Sequence, residues 1–410
     1  MSSNPIFDIY RKPTFDETIK KYEVHTYYPY VKSFNNNDSI EITINKSDSW
    51  LLMHEAAIVI AGTLEKTAGD GAVQLVNNAG AFLFDRITYS INGHEVDSVR
   101  DPGIVSTIRG YLCYDSIESK HLCIAGWNFP AAPIVNTSDG SFVMRIPLHH
   151  LLGVFNDYQL AQFGRQTIHL VRARSDNDCF ITIDESGATT ETVGKLTIKD
   201  VSLKVPILFP NDVLKLNLLE AIKSDRPIII PFRKWNFNEL PQLTANGRKE
   251  IWTVKTCTAL ESPRYIIVAF QTGRRGVSKK DPGYFDNIDL SDVRITLNGD
   301  YYPVERMQLD FSKNHFTEAH YNYTEFKNNF KNDHSLPKHP LLDYVSFKNH
   351  AIFVIDCSRR NEPLKSSTVD VKIDIEANSD FPHSTKAYCI IIHDCIVEHM
   401  PLSEIVRNLS

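Results

Sequence analysis

No stretch of this chain carries five or six charges of one sign in a row, so it has no polybasic tail of the kind that wraps nucleic acid. No apolar run approaches the roughly 18 residues that a membrane helix needs. The longest, such as Ala56-Ala-Ile-Val-Ile-Ala-Gly62, are far shorter. The opening Met1-Ser-Ser-Asn-Pro-Ile-Phe7 lacks a basic segment followed by an apolar core, so no secretory signal is expected and synthesis in the cytosol is predicted. Cys-x-x-Cys is missing as well. The seven cysteines (113, 123, 179, 257, 357, 389, 395) are odd in number and scattered, which favours thiols in a reducing compartment over a disulfide framework. In that setting the five Asn-x-Ser/Thr triplets, among them Asn136-Thr-Ser138 and Asn322-Tyr-Thr324, read as chance matches.

Catalytic signatures are equally scarce. Gly-x-Ser-x-Gly, a Walker loop, Gly-x-Gly-x-x-Gly and His-Glu-x-x-His do not occur. Gly273-Arg-Arg-Gly-Val-Ser-Lys-Lys280 has its glycines three apart rather than five and runs into Asp281-Pro282. It reads either as a basic loop touching phosphate or an acidic neighbour, or as a solvated hairpin tip. His149 and His150 are adjacent, so in a strand or a helix they diverge and make a poor metal pair. His393 and Cys395 share a side of one strand, but zinc needs about four converging ligands. Asp370, Asp374 and Glu376 share strand parity, as a solvated sheet face or an acid/base pair would. No catalytic, cofactor-binding or metal-ligating residue is assigned on these grounds, and the chain is expected not to be an enzyme.

What is present is a large, ordinary globular composition. At 410 residues, 42% hydrophobic and 23% charged, the chain exceeds the size of one hydrophobic core, and two domains are expected. Lys plus Arg number 44 against 50 for Asp plus Glu, a net charge of −6. That balance argues against a dedicated nucleic-acid binder.

The most informative feature is a partial repeat about two hundred residues apart. Ile87-Thr-Tyr-Ser-Ile-Asn-Gly-His-Glu-Val-Asp-Ser-Val-Arg100 matches Val293-Arg-Ile-Thr-Leu-Asn-Gly-Asp-Tyr-Tyr-Pro-Val-Glu-Arg306. Asn-Gly between alternating apolar residues is a strong hairpin signal, because a two-residue turn needs positive φ at both central positions. Three more segments recur in the same order: 142–147 with 352–357, 167–173 with 369–375, and 198–206 with 392–401. One β domain written twice is the reading.

Residues 1–37, rich in Asn and Tyr, show no periodic element and are expected to form an N-terminal arm. Its Tyr22, Tyr27, Tyr28 and Tyr30 suit interface anchoring. A first β domain is expected over 38–208. A helix capped by Asn211, with Leu214, Leu218 and Ile222 on one face, makes 209–225 the joint. The second domain runs 226–401, followed by a tail, 402–410. Short helices are predicted at 101–114, capped by Asp101, and at 313–330. Many short strands with few helices mean an all-β fold of two tandem eight-stranded jelly rolls, in preference to an immunoglobulin-like sandwich.

The stretch Asn77 to Leu112, with Ile230-Pro-Phe-Arg-Lys-Trp235, Pro263 to Thr272, Leu297-Asn-Gly-Asp-Tyr-Tyr-Pro303 and Phe353-Val-Ile-Asp-Cys357, resembles double jelly-roll proteins encoded in insect genomes and insect-associated viruses. The likeness extends over roughly residues 40–400. It implies a viral major capsid protein, or a genomic relic of one, in the lineage of polinton-like and adenovirus-like agents. It also implies homotrimers that act as pseudo-hexameric capsomers of an icosahedral shell, located in the virion. Vertex or minor capsid proteins and weak or indirect contact with the packaged genome follow as partners. No cofactor and no transmembrane segment is implied. Two other classes remain open. One is an enzyme on paired jelly rolls, of copper monooxygenase or glycan amidase type. The other is a carbohydrate-binding attachment protein, although Trp50, Trp127, Trp235 and Trp252 lie mostly in apolar contexts that suit core packing.

Overall fold

In the computed structural model of the protein, the described residues are 18–45, 49–127, 139–184, 192–257, 262–331, 340–358 and 369–409. The first half contains β1 (Ile19–Tyr27), β2 (Ser39–Ile44), β3 (Trp50–Leu51), β4 (Ala57–Ala68) and β5 (Ala72–Leu75). A short α1 (Ala79–Phe82) leads into β6 (Phe84–Ile91) and β7 (His94–Arg100). Then come α2 (Pro102–Cys113), α3 (Ser116–His121), β8 (Ser141–Pro147), α4 (Leu148–Leu151) and α5 (Gly153–Asp157). Strands β9 (Gln166–Arg172), β10 (Phe180–Ile183) and β11 (Val193–Pro210) close the half, and α6 (Asp212–Lys223) leaves it.

The second half is built from β12 (Ile228–Leu240), β13 (Lys249–Cys257), β14 (Pro263–Thr272), β15 (Leu290–Leu297) and β16 (Asp300–Tyr302). Helices α7 (Thr317–Lys331) and α8 (Tyr344–Phe347) precede β17 (Ile352–Asp356), β18 (Val369–Ala377), β19 (Thr385–His399) and β20 (Val406–Asn408). The sheets of the first half run β1-β11-β4-β8 and β2-β9-β6-β7; those of the second run β12-β19-β14-β17 and β13-β18-β15-β16. Counting only the eight principal strands of each half, both have the orders 1-8-3-6 and 2-7-4-5. That is the jelly-roll topology twice over. The repeated segments fall on corresponding strands: β6–β7 on β15–β16, β8 on β17, β9 on β18 and β11 on β19.

Local chemistry explains these elements. β9 alternates buried and half-buried residues along its whole length, so one face packs inward. Both hairpins turn on the expected dipeptides. Asn92 and Gly93 have φ of 50° and 81°, and Asn298 and Gly299 have 51° and 102°. Asn211 Oδ1 accepts from the Leu214 amide at 2.8 Å and caps α6. Asp101 does not behave as expected: it sits in the left-handed region and its side chain caps nothing on α2. Pro102 opens that helix instead.

The chain ends also differ from expectation. Ile19–Tyr27, expected within an unpaired arm, is an edge strand antiparallel to β11, from Ile19 opposite Pro210 to Tyr27 opposite Leu203. Residues 1–17 of that arm lie outside the described residues. In the expected tail, Val406–Asn408 pairs with β19.

The core is dense in aromatics. Trp127 is fully buried, meets Tyr111 edge-on at 5.4 Å and donates its indole N–H to Ser119 at 2.8 Å. Trp235 and Trp252 are buried too, whereas Trp50 is only half-buried. Gly110 of α2 lies against Trp127, and a Cβ there would stand 2.3 Å from the indole. In an open helix Gly→Ala stabilises by about 1 kcal/mol. Here overpacking dominates, so Gly110→Ala is expected to destabilise by about 1–3 kcal/mol and to lower Tm by about 1–3 °C. Scanning calorimetry checks the sign, and a raised Tm contradicts this packing.

Candidate assembly interface

The residues singled out for chemistry do not converge. Among the described residues there is no group of three or more His, Cys, Asp or Glu side chains placed to hold a metal. His149 and His150 both lie on α4 but point apart. His149 Nδ1 lies 3.3 Å from the His54 carbonyl, and buried His150 bridges Tyr114 and Asn78 at 2.8 and 2.9 Å. The Asn78 amide nitrogen already donates to Ser106 and Thr107, so its oxygen must accept from His150 Nε2. His150 Nδ1 then accepts from the Tyr114 hydroxyl, which fixes the neutral tautomer. His393 lies 2.9 Å from the Asn236 amide nitrogen, and Cys395 is buried. Asp370, Asp374 and Glu376 line the outer face of β18. There Lys249 and Arg306 hold Glu376 at 2.6 and 2.8 Å and keep its carboxyl low. These side chains are packing and surface ion pairs.

The basic loop 273–280 does find acidic neighbours, and they belong to the other half of the chain. Arg275 reaches Asp101 at 2.9 Å and Asp178 at 3.5 Å. The Gly276 amide donates to Asp178 at 2.7 Å, the Thr182 amide to the Ser278 carbonyl at 2.7 Å, and Lys279 pairs with Asp184 at 3.3 Å. This accounts for Asp101: its carboxylate is turned away from α2 to hold the second roll. Burial disfavours the Arg275 cation, but Asp101 and Asp178 more than reverse that and raise its pKa.

The joint continues along the molecule. Tyr111 donates to the Gly283 carbonyl at 3.1 Å and packs on Phe285 and His350, with centroids at 6.4 and 4.9 Å. Tyr323 of α7 donates to the Tyr111 carbonyl at 2.7 Å. Lys327, nearly buried, pairs with Glu118 at 2.9 Å and Asp115 at 3.7 Å. Arg233 of β12 grips Asp157 of α5 through its guanidinium at 2.9 and 2.8 Å and through its backbone amide at 2.8 Å. Burial opposes ionisation of Asp157, but the Arg233 contacts outweigh it and hold the carboxyl low. Arg109 stacks 5.0 Å over the Trp235 ring, and Asn92 lies 3.3 Å from His399. The polarity is consistent. The second roll contributes cations, and the first contributes the carboxylates that meet them.

A buried pair stabilises little against apolar isosteres, yet removing one partner strands a buried charge. The pairs therefore act chiefly to fix orientation.

Elsewhere, large apolar side chains face solvent. Tyr22, Val24, Tyr28 and Tyr30 do so along β1 and just after it. Val213, Leu216 and Leu219 do so on α6, whose Leu214, Leu218 and Ile222 are half-buried. A cleft of about 650 Å³ lies between α6, Trp50, Phe163 and Phe209. A second, of about 390 Å³, lies between α7 and β17 and is lined by Tyr265, Tyr321, Glu325 and Asp356.

The sequence profile of the double jelly roll-like domain family matches residues 73–397. No curated protein sequence matches the chain. Among solved structures the chain is similar to a chain of the Sputnik virophage, with 10% identity, TM-score 0.62, and coverage of 100% of this chain and 92% of that one. It is likewise similar to the Faustovirus major capsid protein, at 10% identity, TM-score 0.60, 97% and 92% coverage. The mavirus major capsid protein aligns at 10% identity, TM-score 0.56, 97% and 91% coverage.

Two predictions test the joint. Arg275→Met is expected to destabilise by about 3 kcal/mol by leaving Asp101 unpaired, and adding Asp101→Leu should restore most of the loss. Denaturant midpoints of the four proteins check this, and additive losses contradict it. Burial also pushes His150 to about 3 and His350 to about 4. Both are neutral when folded but protonate near 6.5 when unfolded, so their contribution is full above that pH and declines as pH falls from 6.5 toward 4. Urea midpoints should drop between pH 7 and pH 5; an unchanged midpoint contradicts the assignment.

Proposed function

Because the chain belongs to the double jelly roll-like domain family, we propose that it is a viral major capsid protein, acting by self-association and catalysing no reaction. The observation that carries this reading is the double use of one strand order combined with a charged joint that holds the two copies in one orientation. Three such chains around an axis present six nearly alike lobes. A tile of that shape packs a hexagonal lattice, and closed symmetry within each tile avoids open-ended fibres. An icosahedral shell follows, with vertex or minor capsid proteins where hexagonal tiles cannot fit.

Several features of the chain support the finer points. A net charge of −6 without a basic tail suits weak or indirect contact with the packaged genome. The thiols of Cys179 and Cys389 are buried and form no disulfide, which suits synthesis in a reducing host cytosol before incorporation into the virion. The exposed Tyr28 and Tyr30 suit anchoring a capsomer to its neighbours or to an internal layer.

The test is to express the chain alone and weigh it. Native mass spectrometry is expected to give three times the mass of one chain, and electron microscopy hexagonal sheets or closed particles. A strict monomer at micromolar concentration, forming no particles, contradicts the proposal.

A further inference from the structure

The internal joint specifies how a second copy of the chain should dock. In that joint the β7–α5 side of the first roll packs on β12 of the second. Strands β12 and β1 hold the same place, first at the edge of the 1-8-3-6 sheet, and β7 and β16 hold the same place at the edge of the 2-7-4-5 sheet. Each roll therefore owns two sides, one headed by its first strand and one by its fifth. Within the chain, one side of each roll is used and one is left over.

The leftover sides are the bare ones. β12 buries Ile230, Phe232 and Trp235, whereas its counterpart β1 buries no residue and exposes Tyr22 and Val24 at 50% each. β7 buries Val96, Asp97 and Val99, whereas its counterpart β16 buries none and leaves Tyr301 exposed. Beside β16, Val304 is 83% exposed and Tyr321 is 58% exposed. Apolar exposure of this kind on both free sides marks surfaces built to be covered.

Charge follows the same rule. In the joint, the first-strand side brings cations to carboxylates on the fifth-strand side, as Arg233 does to Asp157 at 2.8 Å. On the free sides, β1 carries Lys20 beside the exposed Tyr22, its Lys21 being paired with Glu23 at 2.5 Å on the strand's other face, while the cleft of about 390 Å³ beside α7 presents Glu325 and Asp356 among Tyr265, Tyr321 and Phe326. The cleft stands on the side of the second roll that corresponds to the one where, on the first, α2 and α5 receive Trp235 and Arg233.

We propose that the β1 side of the first roll docks on the β16–α7 side of the second roll of another copy of this chain, with Tyr22 and Lys20 of β1 meeting the cleft beside α7. The inference rests on the trimer reading above and names its faces. Repeated three times, this contact alternates with the internal joint around a closed ring of six rolls.

The experiment uses the full chain and native mass spectrometry, with Tyr22→Glu/Val24→Glu on one face and Val304→Glu/Tyr321→Glu on the other. All four positions are exposed, so each variant should keep the wild-type Tm to within a few degrees. Each double variant is expected to weaken trimer formation by about 30-fold or more, the scale of lost hot-spot contacts. In a trimer of mixed nitrogen-14 and nitrogen-15 chains, carbodiimide coupling should join Lys20 of one isotope to Glu325 or Asp356 of the other. Trimers that survive either double variant, or isotope-mixed links that avoid these residues, overturn the assignment of faces and leave the trimer standing. A wild-type monomer overturns the trimer itself.

Discussion

Everything in this molecule depends on the desolvated charge pairing between its two halves. Arg275 with Asp101 and Asp178, Arg233 with Asp157, and Lys327 with Glu118 and Asp115 hold two jelly rolls side by side. Ion pairs of this kind add little net stability compared with apolar packing. They do penalise every other relative placement of the rolls, because any sliding would leave Arg275, Lys327, Asp101 and Asp157 largely buried without partners. The aromatic contacts of Tyr111, Phe285 and His350 supply the cohesion around them. Specificity comes from charge and adhesion from rings.

That constraint gives the duplicated fold one fixed relative orientation of its halves. Two free rolls on a flexible linker could adopt many mutual angles, and a lattice of such pairs would lack a repeat. A locked pair offers one angle, and one angle repeated is what closure requires. Covered β12 stands against bare β1, and covered β7 against bare β16. One side of each roll is covered within the chain, and the other is left bare.

Much of this was legible in the sequence, for identifiable reasons. Asn92-Gly93 and Asn298-Gly299 announced their hairpins because positive φ at two consecutive positions excludes most other residue pairs. The matched segments 142–147 and 352–357 declared the duplication through their order and offset, since β8 alternates while β17 is buried along Ile352–Ile355. β1 was missed since Ile19–Tyr27 is an edge strand with neither face buried, so its composition is polar and its pattern weak. Asp101 was misassigned as a helix cap because Asp before Pro at a helix start usually is one. Its true partner, Arg275, lies 174 residues away, and no local pattern encodes a contact of that range. The loop 273–280 was left open in the sequence between a basic loop meeting phosphate or an acidic neighbour and a solvated hairpin tip, and finding Asp101, Asp178 and Asp184 beside it needed the folded chain.

The central claim is that one chain supplies two locked lobes of a six-lobed tile. Cryo-electron microscopy of the purified assembly, classified without imposed symmetry, tests it most directly. The account predicts a six-lobed projection whose true symmetry is threefold, with two alternating kinds of lobe and lobe-to-lobe contact. A tile of six chains, a two-fold particle, or class averages in which the two rolls of one chain take variable angles would contradict it.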